Sequence, residues 1–292
     1  MTQLYRNQSF TRKFAIMRAE AGLVGALRWS VGHAIYKIGL KDGPTRRRIA
    51  IARRLEALFG STVAYGPFKG LKFAPGAWWG TGDRAGMMLG LYEQEILTAL
   101  TENSPTYDLL IDLGAADGYY AVGGLVGGLF ERAICFETSD AGRARIAETA
   151  ALNGVANRIS VNGYADREFY HHISEKDRAR GVLLVDIEGG EFDLFTDEVF
   201  AAFSGSLIII ELHDWFFDDG AARLAALKAR AAAHFAITTL TATGRDLSPF
   251  VELETFSDDD RWLICSEGRA RAMTWLRLDP LNPTNEPPQR PE

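Results

Sequence analysis

Four acidic residues stand at or just past the ends of four successive apolar runs. Asp112 comes late in "YDLLIDL", Glu137 closes "RAICFE", Asp166 follows "RISVNGYA", and Asp186 follows "GVLLV". Just after the first of them the chain turns small, with Gly114, Ala116 and Gly118 at alternate positions in "DLGAADGYY". Small residues at that spacing let the backbone turn tightly and let a ligand approach the main chain. A row of carboxylates suits a ligand that carries positive charge and hydroxyl donors. It does not suit a pyrophosphate, which needs G-x-G-x-x-G and a helix N-terminus free of acids; here Asp112 and Asp117 would repel it. Any one of these acids alone reads equally well as a solvated loop carboxylate or a helix cap. Further on, "VDIEGGE" and "IIIELHD" add Glu188, Glu191, Glu211, His213 and Asp214. His213 is the candidate general base, because its ordinary pKa lies closest to working pH. Asp186 and Glu188 are candidates to orient an acceptor or to hold an ammonium group. Asp186, Glu211 and His213 together could also ligate a divalent metal ion; a metal-free site is the preferred reading. The plain alternatives are a strand-end histidine bonded to backbone for His213, and a helix N-terminal acid for Glu191.

Such groups need a scaffold. From about residue 107 the chain alternates strand-like and helix-like runs. "YDLLIDL", "RAICFE", "RISVNGYAD", "GVLLVDIEGG", "SLIIIELH", "FAITTLT" and "RWLICSE" read as strands. Between them lie helices at "GYYAVGGLVGGLF", at "SDAGRARIAETAALNG" with Ser139 or Asp140 as cap, from about Glu191 to Phe203, and at "GAARLAALKARAAAH". Val/Ile/Leu-rich strands in that order predict a mostly parallel α/β sheet, doubly wound, with helices on both faces. In such a sheet ligands bind outside the C-terminal strand ends, where the acids are placed.

A glycine-rich loop there serves either a dinucleotide or S-adenosylmethionine (SAM), whose sulfonium and ammonium suit acids. Glu137, 25 residues after Asp112, is placed to accept both ribose hydroxyls. Asp166 and its neighbour Ala165 fall where the adenine would lie. "LLIDLGAADGYYAV", "CFETSD", "LLVDIEGGEFDLF" and "IIIELHD", preceded by "GLYEQEIL" at 90–97, resemble the FkbM family of class I SAM-dependent methyltransferases, with D-x-E-G-x-E the most specific element. The resemblance covers roughly residues 60 to 270. It implies a seven-stranded Rossmann-like methyltransferase sheet with an antiparallel last strand, SAM as cofactor, and O-methylation of a small molecule, natural product or saccharide. Asp112, Gly114, Gly118 and Glu137 match its cofactor-binding positions, and Asp186, Glu188 and Glu191 its acidic element. Tyr92 and Glu93 also match, and Glu93 is included among the cofactor contacts. Trp78 and Trp79 read as core seals or as an acceptor wall. Two other readings are an RNA or protein methyltransferase recruited by a basic arm and a non-catalytic SAM-binding protein.

The chain has 292 residues, 47% hydrophobic and 24% charged, enough for one sizeable core. Its net charge of -6 is unevenly spread: residues 1–60 hold 12 basic against 3 acidic residues, and the remainder 20 against 35. We therefore divide it into a basic helical extension (1–60), a catalytic domain (61–275) and a proline-rich, disordered tail (276–292). The basic run "TRRRIAIARR" has too few interleaved aromatics to argue for nucleic acid. Leu23, Leu27, Val31, Ile35 and Ile38 form one apolar helical face within residues 21–40, interrupted by Arg28, His33 and Lys37. That helix is expected to dock on the body or on a second copy in a homo-oligomer; peripheral membrane contact is the other reading. Cys135 and Cys265, each in a strand-like run, and a start that lacks a signal-peptide pattern predict a cytoplasmic protein with reduced thiols.

Overall fold

The computed structural model describes residues 43–75 and 80–281, with helical positions 11, 14, 18, 22–28, 30 and 31 before them. Trp78, Trp79, Ile35, Ile38 and residues 282–292 lie outside the described residues. Seven strands form one sheet: β1 Leu109–Leu113, β2 Arg132–Phe136, β3 Ile159–Asn162, β4 Gly181–Val185, β5 Leu207–Glu211, β6 Phe235–Thr241 and β7 Thr274–Pro280. Their order is β3-β2-β1-β4-β5-β7-β6. β1 to β5 pair in parallel, whereas β7 runs antiparallel to both β5 and β6. This is the expected doubly wound, seven-stranded, mostly parallel α/β sheet.

β1, β4 and β5 are buried along their whole length, which only strands covered on both faces can be. One face packs Leu110, Cys135, Leu184 and Ile209 under the helices Gly43–Phe59, Gln94–Asn103, Tyr119–Val126 and Asp140–Leu152. The opposite face packs Leu109, Ile111, Val185 and Ile210 against Phe195, Phe200, Phe203 and the helix Gly220–Ala231.

Several boundaries differ from expectation. "RWLICSE" is not the last strand. Ser257 accepts a hydrogen bond from the Asp260 amide, and Asp258, Asp259 and Asp260 fill the first turn of a helix, Asp258–Cys265. Acids there complement the helix dipole, and that capping outweighs the strand propensity of an apolar run. The seventh strand is "TWLRLDP", with Trp275, Leu276 and Leu278 buried, so the tail cannot begin at 276. The helix from Glu191 breaks at Phe195 and restarts at Asp197 under a Thr196 cap. Ile51, Ala52 and Leu55 of helix Gly43–Phe59 belong to the core, so the end of the extension is part of the body. Both cysteines are free, but Cys265 is helical and only half-buried. Leu23, Leu27 and Val31 are exposed, whereas Ala26 is buried; among the described residues, these three side chains of the apolar face are not covered by the body. Among the described residues, no helix is long and apolar enough to cross a membrane.

Candidate functional site

Side chains alternate between sheet faces along a strand. Asp112 therefore shares a face with Leu110, Glu137 with Cys135, Asp186 with Leu184, and Glu211 with Ile209. These four apolar residues all belong to one core cluster, so the four acids emerge on the same side of the sheet. The pairing of Asp112 with Cys135 on β2 and Leu184 on β4 sets Glu137 and Asp186 two residues further along at the carboxyl edge, with Asp112 deeper beneath them. Connections leave β1 towards β2 on one side while β4 lies on the other, and a crevice opens at such a switch point.

The loop after β1 is shaped for this crevice. Gly114 has a φ of 90°, its amide donates to the Phe136 carbonyl at 2.9 Å, and a Cβ there would lie 1.8 Å from the Asp186 carbonyl oxygen. Only glycine fits. Gly118, with a φ of 85°, then starts the helix Tyr119–Val126. A cleft of about 680 Å³ runs along Gly114, Glu137, Ala165, Asp166, Asp186 and Glu188. A smaller recess of about 50 Å³ continues inward past Glu93, Asp112, Tyr120 and Glu211.

Glu137 is buried and held at both oxygens. The Ala116 amide donates to one at 3.0 Å and the Ser139 amide to the other at 2.7 Å. A Cβ on Gly142 would come within 2.7 Å of the Glu137 side chain, so helix Asp140–Leu152 closes directly over it. Asp166 is exposed on the cleft wall, and one oxygen accepts from the Glu168 amide at 2.9 Å as a local turn cap. Asp117 is answered by a buried arginine: Arg84 donates to it at 2.9 Å and lies over the Phe73 ring, so Asp117 carries no open charge towards the cleft.

The inner acids are electrostatically costly. Burial, then the charges of Glu137 and Glu93, pushes Asp112 up to about 7; its Oδ2 has no hydrogen-bond partner. Burial likewise raises Glu93 to about 7, against the opposing effect of Arg269. Burial, then the charge of Glu188, raises Asp186 to about 7, and burial, then the charge of Asp186, raises Glu211 to about 8. Asp186 nevertheless opens 46% of its side-chain surface to the cleft, so it is the more accessible of the pair. Arg269 supplies the positive charge that holds this group together. Its guanidinium bonds to Glu93 and Glu211, and its Nε donates to Glu267 at 2.9 Å. Tyr120 donates its hydroxyl to Glu93.

His213 follows β5, is 4% exposed and stacks on Phe216. Fully buried Glu191 accepts from the His213 backbone amide at 2.9 Å and from the Gly189 amide at 2.8 Å; it also lies 3.4 Å from His213 Nδ1. The opposite nitrogen, Nε2, lies 3.8 Å from Asp186 and 3.9 Å from Glu188. Burial disfavours the imidazolium, but the Glu191 carboxylate beside Nδ1, with Glu211 and Glu188 behind it, outweighs burial and raises the His213 pKa. Asp186, Glu211 and His213 bring one ligand atom each within 4.8 Å of one another, the spacing of a divalent-ion site. One Glu211 oxygen is already engaged by Arg269, so part of the charge that an ion would balance is balanced.

Asp112, Gly114, Gly118, Glu137, Asp186, Glu188, His213 and Glu93 thus gather at one edge, with Asp166 set apart on the outer wall. Arg269 and Arg84 have no sequence motif, and Tyr120, although inside the quoted loop motif, is not among its candidate residues. Charge balance was the available signal for Arg269: buried carboxylates at one edge require a cation among them.

No protein-family description matches the chain, and no curated protein is significantly similar in sequence. Solved structures similar to it include an O-methyltransferase, TomG, from Streptomyces achromogenes in complex with SAM. That likeness has 12% identity, 86% of this chain and 97% of the other covered, and a TM-score of 0.43. A precorrin 8W decarboxylase from Methanobacterium thermoautotrophicum matches at 13% identity over 64% and 88%, with a TM-score of 0.41. A tRNA methyltransferase, TrmK, from B. subtilis matches at 12% over 62% and 64%, with a TM-score of 0.40. At such distances the chemistry has to be read from this chain's own residues.

Proposed function

We propose that the chain is a SAM-dependent methyltransferase of the FkbM type that methylates a hydroxyl on a small molecule or saccharide. The observation that carries this reading is the convergence of Asp112, Glu137, Asp186 and Glu211 on one face at the sheet's switch point, beside a turn that only glycine can make. The residues fit the cofactor. Asp112 Oδ2 and Asp186 Oδ1 are acceptors without partners, Glu137 is held rigidly by the Ala116 and Ser139 amides, and the cleft is open along its length. When bound, SAM supplies an activated methyl group, so the protein's work is alignment and proton transfer.

Glu137 would accept the ribose hydroxyls, Asp166 the exocyclic amine of adenine, and Asp112 and Glu93 would offset positive charge in the inner recess. His213 is the proton acceptor. With its Nδ1 proton turned to Glu191, the neutral ring keeps the lone pair of Nε2 facing Asp186 and Glu188. With the cofactor bound, His213 Nε2 would take the proton that the acceptor hydroxyl loses as its oxygen is methylated, with S-adenosylhomocysteine as the other product. Asp186 and Glu188 orient the acceptor at the cleft side of His213. Calorimetric titration with SAM and, separately, with NAD tests the reading: saturation by SAM alone supports it, and saturation by NAD alone overturns it. Methyl transfer from labelled SAM to a panel of hydroxylated metabolites tests the acceptor class; label found only in RNA or protein would refute it.

A further inference from the structure

Residues 22–28, 30 and 31 form a helix whose small side turns inward: Ala26 is fully buried, and the Ser30 hydroxyl donates to the Ala26 carbonyl at 2.8 Å. Its aliphatic side turns outward, with Leu23 55%, Val24 65%, Leu27 52% and Val31 60% exposed. At about 100° per residue these four occupy an arc of roughly 100°, and exposed Arg28 stands at its edge. Residues 1–42, which precede the helix that joins the body, hold 7 basic and 2 acidic side chains, in a chain whose remainder is net acidic. An apolar stripe bordered by positive charge is the pattern of a helix that lies in a bilayer interface. Positive charge beside the stripe complements an anionic surface.

We infer that this helix is a peripheral anchor for an anionic lipid surface. The aliphatic stripe enters the acyl boundary, and Arg28 with the other basic residues that precede the body meets the headgroups. The acidic body is repelled by the same surface, so the protein is held by one end and its cleft stays in water.

Co-sedimentation of the full chain with phosphatidylglycerol-containing vesicles and with pure phosphatidylcholine vesicles tests the anchor. Preferential binding to the anionic vesicles that weakens with salt is expected, because each basic residue at such a surface is worth about fivefold. Arg28→Gln should lower binding by about that factor, and Leu23→Asp with Leu27→Asp should remove it while the thermal melt of the body is unchanged. Equal sedimentation with both vesicle types, or full binding by the double variant, would overturn the anchor. So would a parent dimer that this variant converts to monomer without any vesicle binding.

Discussion

Donor affinity should rise with pH across neutrality, because the inner recess takes up protons when no cation is present. Asp112 is the cleanest case: it is 3% exposed, and its pKa stands at about 7. A sulfonium or ammonium beside it favours the ionised carboxylate, so binding expels the proton. For one group titrating near 7 in the free protein and far below it in the complex, the dissociation constant falls about eightfold between pH 6 and 7.5. Glu93, also raised to about 7, multiplies that factor. Calorimetry with SAM in two buffers of different ionisation enthalpy reads both the affinity and the proton released. S-adenosylhomocysteine, which lacks the sulfonium charge, should show a shallower dependence. Asp112→Asn should bind more weakly at pH 7.5 and lose part of the slope. In the donor-free protein the sign for stability is opposite. Below the ordinary pKa of 3.8 the Asp112 carboxyl is neutral both folded and unfolded. The penalty accumulates as pH rises from there and is complete above about 7, at most about 4 kcal/mol. Asp112→Asn should therefore gain stability relative to the parent at pH 8 and little at pH 4. A pH-independent SAM affinity with no proton release would refute this account of the recess.

Gly114→Ala places a methyl group 1.8 Å from the Asp186 carbonyl oxygen and requires a main-chain shift, which should cost about 2–4 kcal/mol in urea unfolding; an unchanged midpoint would contradict the packing of that turn. Glu137→Ala should abolish SAM binding, and parental affinity by calorimetry would withdraw the ribose assignment. His213→Ala should keep SAM affinity but lose turnover. Glu191→Gln should move the rising limb of kcat against pH to lower values, because Glu191 raises the His213 pKa; a limb that stays in place would show that Glu191 does not set the base. Activity should survive extensive dialysis against chelator, and loss restored by magnesium would assign Asp186, Glu211 and His213 to an ion instead.

Much of this protein can be read from local patterns alone. Apolar runs of strand length, separated by amphipathic helices, are enough to specify a doubly wound sheet. Period-two alternation and the rule for strand ends then place Asp112, Glu137 and Asp186 at one edge. The glycines of the first loop announce a close approach, although the group approached, the carbonyl of Asp186, lies 72 residues away and could be identified only in three dimensions. The last strand went unread because "RWLIC" and "TWLRL" look alike as apolar runs; an N-cap and three acids in the first turn commit one to helix, and pairing with both β5 and β6 commits the other to strand.

Charge compensation was likewise a tertiary decision. Arg269 and Arg84 act on partners that approach them only on folding, so no spacing along the chain marks them; the motif marks Glu191 but not the His213 it meets. Their effect depends on burial, which strengthens Coulomb interactions by excluding water. Residue order determined which groups reach the edge of the sheet. Packing determined which of them are buried and raised towards neutral pH, and which are answered by an arginine.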